Sequence, residues 1–81
     1  MRVDDRSLER LRWRSRRGLL ELDLIFERYW AGKGAGLGKD EAATLEGLLA
    51  LPDNDLLDLV MGRSTSPDAA VRALVDHLKA V

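Results

Sequence analysis

Two arginines, a glycine and two acids stand together in Arg16-Arg17-Gly18-Leu19-Leu20-Glu21-Leu22-Asp23. A guanidinium fork, a residue without a Cβ and a carboxylate one turn further on can recognise a neighbouring chain. Arg17 offers paired donors to a carboxylate or carbonyl, Gly18 allows close backbone approach, and Glu21 accepts hydrogen bonds. The residues also admit a plainer reading, in which Gly18 merely separates two helices, Glu21 stabilises the start of the second and Arg17 is solvated. Composition and spacing leave these two readings open.

Enzymatic chemistry finds less support. Glu21 and Asp23, like Asp53 and Asp55, are two residues apart; on a helix such pairs point about 200° apart, so neither can converge on one substrate atom. His77 is the only histidine and there is no cysteine, which leaves a structural zinc site short of the several nitrogen or sulfur ligands it needs and gives no sign of a Ser–His–Asp arrangement. We expect no catalytic residue, no metal and no cofactor belonging to the chain itself. The glycine-rich run "AGKGAGLG" at 31–38 resembles part of a phosphate cradle, but Lys33 and Asp40 occupy positions where a P-loop needs Gly and then Ser or Thr. It reads as a connector.

Seven arginines against three acids in residues 1–17 give that segment a charge of +4, whereas residues 18–81 carry −5. Arg10, Arg14 and Arg17 recur at the spacing of one helical face, which keeps a nucleic-acid-binding or generic interaction module as the alternative function. The overall charge of −1 argues against nucleic acid as the partner. No apolar run approaches the roughly 20 residues of a membrane span. Asp4, Asp5 and Glu9 interrupt the arginines in a way that organelle presequences avoid. A cytoplasmic protein without membrane insertion, monomeric when free, is the expectation.

The elements that must position these residues are helical throughout. With 81 residues, 46% of them hydrophobic, the chain is read as a single all-α domain over 1–81, its core about 7–80: a small five-helix bundle. A first helix starts at Ser7 as N-cap, carries Leu8 and Leu11, and is terminated by Gly18. A second, in "LLELDLIFERYW", buries Leu22, Ile25, Phe26 and Tyr29. Ala42, Leu45, Leu48 and Leu49 mark a third, ending near Pro52. Asp53 caps a fourth with Leu56, Leu57 and Val60. Ser66-Pro67-Asp68 opens a fifth with Val71, Leu74, Val75 and Leu78. Helices two, three and five are expected to supply most of the core.

The segment "RLRWRSRRGLLELD" resembles the N-terminal signature of the succinate dehydrogenase flavinylation and assembly factors of the SdhE type, marked by Arg-Gly-x-x-Glu, here Arg17-Gly18-Leu19-Leu20-Glu21. "LLALPDNDLLDLVMG" (48–62) resembles a later stretch of the same family, although Asn54 and Leu59 stand where many members have Pro and Trp. The resemblance implies a five-helix assembly factor rather than an enzyme. Such a factor binds the flavoprotein subunit of succinate dehydrogenase, and of fumarate reductase, and promotes covalent attachment of FAD to a histidine of that subunit. It further implies that Arg17, Gly18 and Glu21 face the partner, supported by Arg10, Arg16 and Asp23. On that basis Arg17 and Glu21 should be removable without loss of stability.

Overall fold

A computed structural model describes residues 3–33 and 37–80. It contains the five expected helices: α1 Asp5–Arg14, α2 Leu20–Lys33, α3 Lys39–Leu49, α4 Asp53–Val60 and α5 Ala69–Ala80. Among the described residues the only β feature is an isolated bridge at Gly38, beside the Val3 N–H that donates to the Leu37 carbonyl at 3.2 Å. One apolar cluster joins all five helices. α5 lies against α2, α3 and α4, while α1 lies against α3. Phe26, Leu45, Leu49, Leu74 and Leu78 are all buried, as the periodicity requires.

The helix starts differ from expectation. α1 is capped by Asp4, whose carboxylate accepts the Ser7 N–H at 2.8 Å, so Ser7 supplies the donor and is not the cap. That hydrogen bond holds the Asp4 carboxyl below its usual range. α5 is likewise opened by Asp68, which accepts from the Ala70 N–H at 2.8 Å; the Ser66 hydroxyl accepts the Asp68 N–H one turn upstream. In both cases a carboxylate stands near the expected cap and takes the free amide of the first turn, its charge also suiting the helix dipole. Asp53 is the first residue of α4, behind Pro52, and makes no cap bond.

Apolar placement follows the expected stripes with three differences. Ile25, Leu57 and Val71 are only half-buried, and Trp30 and Leu59 are buried in the core. The connector is shorter than 31–38, because Ala31, Gly32 and Lys33 complete α2. Leu37 is 1% exposed, a core side chain lying between glycines that sequence composition assigns to a linker. Residues 34–36 of that connector lie outside the described residues.

α1 ends earlier than Gly18. Ser15 closes it, its hydroxyl donating to the Leu11 carbonyl at 2.8 Å and accepting the Trp30 indole N–H at 3.1 Å. This buried serine ties the end of α1 to the far half of α2. The Arg12 guanidinium lies 5.0 Å from the Trp30 ring centre and covers the same junction.

Candidate functional site

The segment between α1 and α2 turns at Gly18, whose φ of +78° lies in the left-handed region that glycine adopts without penalty. Beyond its chain neighbours, a Cβ at Gly18 would meet no atom of the described residues within 4 Å. Backbone conformation therefore favours glycine here, and no other described segment presses on it. The turn is closed by Asp23, which accepts the Arg17 backbone N–H at 2.9 Å through its carboxylate. Helical hydrogen bonding in α2 starts when the Asp23 N–H donates to the Leu19 carbonyl at 2.9 Å.

The six residues named from sequence do not share one orientation. Gly18 and Glu21 are exposed at the start of α2, and Arg10 and Arg16 are exposed on and just after α1. Asp23 is half-buried and engaged with the turn. Arg17 points inward: its guanidinium donates to the Leu49 carbonyl at the end of α3 and lies 3.6 Å from the Asp53 carboxylate at the start of α4. Its side chain is only 17% exposed, and its Nε–H is buried without an acceptor among the described residues. The expectation that Arg17 faces outward and is dispensable for stability gives way to this geometry. The Leu49 carbonyl at the end of α3 and the Asp53 carboxylate at the start of α4 form an electronegative notch that accepts a planar fork.

The expected arginine face is not formed. α1 ends at Arg14, so Arg17 lies beyond the helix, and Arg14 pairs with Glu46 of α3 at 3.8 Å. Arg10 and Arg16 instead border an open groove of about 930 Å³ between α1 and α2, whose walls also carry Trp13, Glu9, Asp23 and Glu27. Acids interleaved with arginines do not make the single-signed stripe that phosphate backbones select.

Two apolar side chains complete the outward face, and periodicity alone gave them no role. Leu20 is 70% exposed and Leu24, one turn on, is 42% exposed. They stand beside Glu21 on the side of α2 opposite its core stripe, Leu22, Phe26 and Tyr29. Trp13 adds a 71% exposed indole on α1. Their signal in the sequence was the four-residue spacing of Leu20 and Leu24, out of phase with the buried stripe. Isolated exposed leucines are ordinary on a protein surface, but a pair flanking a charged residue and a left-handed glycine makes a patch suited to docking.

The other end of α2 is closed by polar contacts within the chain. The Tyr29 hydroxyl donates to Glu41 at 2.5 Å, and Lys33 pairs with the same carboxylate at 2.6 Å. His77 packs edge-on against the Tyr29 ring, 5.7 Å between centres. Burial, reinforced by Glu41, pushes the Tyr29 phenol well above its usual range. For Glu41 burial acts upward, yet the hydrogen bonds from Lys33 and Tyr29 prevail and hold its carboxyl below the usual range. The one histidine is thus a packing partner of a tyrosine. Among the described residues no group of three or more His, Cys, Asp or Glu is placed to hold a metal ion, and no helix is long and apolar enough to cross a membrane.

Comparison with known proteins identifies the family. The sequence profile of a family described as "Flavinator of succinate dehydrogenase" matches residues 9–81. A protein of Ralstonia nicotianae named FAD assembly factor SdhE is 43% identical over 82 aligned residues, covering 96% of this chain and 86% of the relative. Proteins of the same name from Pseudomonas aeruginosa and Coxiella burnetii are 36% and 34% identical, covering 90% and 88% of this chain and 87% of each relative. These names are those of assembly factors and not of catalysts.

Proposed function

Since the chain belongs to the family of flavinators of succinate dehydrogenase, we propose that it binds the flavoprotein subunit of that enzyme, and of fumarate reductase, and promotes covalent attachment of FAD there. The observation that carries this reading is the outward face at the start of α2, where Gly18, Leu20, Glu21 and Leu24 are exposed beside a turn that is internally fixed. Leu20 and Leu24 supply apolar area to an interface, Glu21 supplies a charge-assisted acceptor, and the bare Gly18 backbone admits a close neighbour. Arg10 and Arg16 border the adjoining groove and extend the surface toward α1.

The flavin is cargo, and both partners in the new bond, FAD and a histidine, belong to the client subunit. The chain acts by binding one conformation of the client more tightly than others, so that the population in which flavin and histidine are aligned rises. Differential affinity of this kind needs a rigid complementary surface and no reacting group on the helper. The reading includes a monomer in the cytoplasm that holds no flavin or metal of its own and does not use nucleic acid as partner.

The test is co-purification of the tagged chain with the flavoprotein subunit, followed by in-gel flavin fluorescence of that subunit. Association with the subunit, together with loss of its covalent flavin when the chain is deleted, is the expected result. A subunit that carries full covalent flavin without the chain, and does not associate with it, contradicts the proposal.

A further inference from the structure

The arginine of the motif points away from the docking face proposed above, and its contacts define what it does for that face. Its guanidinium bonds the Leu49 carbonyl and approaches Asp53, so the side chain grips the α3–α4 junction. Its backbone N–H is held by Asp23 of α2. One residue thus joins α2, α3 and α4 immediately before the left-handed Gly18. On the other side of Gly18 come the exposed Leu20, Glu21 and Leu24.

We propose that Arg17 is a positioning residue: by clamping the α3–α4 junction it fixes the Gly18 turn and presents Leu20, Glu21 and Leu24 as one preformed face. The proposal rests on the docking function, and deepens it by assigning Arg17 a role through the fold in place of a contact with the client. Several observations support the clamp. A side chain 17% exposed, its guanidinium directed at two acceptors of its own chain, has little fork left for a partner. Its Nε–H is buried as well, so the guanidinium is enclosed by its own chain. A turn between helices that carries a binding face would otherwise be ordered only on association, which lowers affinity. Lysine cannot replace the fork, because one ammonium on a flexible stem does not span a carbonyl and a carboxylate held on different helices.

The experiment compares the wild-type chain, Arg17→Ala, Asp53→Lys and the double variant. It measures affinity for the apo flavoprotein subunit of succinate dehydrogenase, and amide hydrogen exchange in the free chain at residue 17 and Asp23, whose N–H groups are held by the Asp23 carboxylate and the Leu19 carbonyl, against core amides such as Leu45. Asp53→Lys sets a positive charge against the clamp without altering the exposed face of α2. We expect each single variant to lose at least about tenfold in affinity, and the double variant to be no weaker than the weaker single, since both break one interaction. Exchange at residue 17 and Asp23 should rise by more than exchange in the core, a local loosening that a residue acting only through global stability would not produce. Arg17→Lys should show the same pattern and serves if Arg17→Ala does not fold.

Wild-type affinity in Asp53→Lys, additive losses in the double variant, or unchanged exchange at residue 17 and Asp23 would overturn the clamp and return Arg17 to direct contact with the client. If the wild-type chain itself does not bind the subunit, the docking reading fails, and the exchange comparison alone decides the clamp.

Discussion

The two ends of α2 treat their polar and apolar groups in opposite ways. At the C-terminal end Tyr29, Lys33 and Glu41 satisfy one another, and Trp30 gives its indole proton to Ser15. At the N-terminal end Leu20 and Leu24 face outward beside an unburied Glu21. A chain of 81 residues has little apolar surface to spare, since a domain this small buries only about 60–65% of what its unfolded chain exposes. Two leucines left outside the core at one end of the helix, while the other end is sealed, are what the proposed docking face rests on.

The strongest way to break this contrast is to exchange the roles of two leucines two positions apart. Leu22 is 0% exposed and Leu24 is 42% exposed. Leu22→Ala should destabilise by about 2–5 kcal/mol, lowering the thermal midpoint by roughly 4–8 °C per kcal/mol for a domain this size. Leu24→Ala should change stability by no more than about 0.5 kcal/mol. Equal losses in denaturant melts would mean that the two faces of α2 are not distinct.

Arg17→Ala comes next, because it removes a charged donor from the Leu49 carbonyl and unpairs Asp53. A cost of about 1.5–3 kcal/mol is expected, in contrast to the near-neutral Glu21→Ala. Unchanged stability in Arg17→Ala would place the guanidinium outside the fold.

A smaller effect sharpens the sealed end. Tyr29→Phe should cost about 1 kcal/mol by removing the phenol bond to Glu41. Glu41 titrates below its ordinary value of 4.5 in the folded chain. The network therefore contributes fully above the unfolded pKa, and its contribution drains as pH falls through the folded one. Thermal midpoints between neutral pH and acid should fall more steeply for wild type than for Glu41→Gln. Parallel curves would remove Glu41 from the stabilising network.

Much of this architecture was legible in advance. Apolar spacing located all five helices and the main core residues, because amphipathic stripes report burial directly. The motif marked the correct turn, because Gly18 does occupy the left-handed region. What spacing could not supply was the fate of individual polar groups. The Arg17 acceptor lies 32 residues away, beyond any local pattern, so a residue grouped with an arginine face turns inward to the α3–α4 junction instead. Ser15 belongs to an arginine-rich run, yet it is 3% exposed, because its hydroxyl meets Trp30 fifteen residues on. Leu37 looked like linker because its neighbours are glycines. Leu20 and Leu24 escaped notice because leucine in a helix is read as core unless its phase is tracked.

The central claim is that the open end of α2 is the surface through which the chain delivers its effect on the flavoprotein. Its most direct test is the covalent flavin content of the flavoprotein subunit in cells whose only helper carries Leu20→Ser together with Glu21→Ala. Both side chains are exposed, so the variant should fold with a thermal midpoint near that of wild type, each change contributing about 0.5 kcal/mol or less. The account predicts a well-folded helper and a subunit largely without covalent flavin. Wild-type flavin content with that helper would contradict it.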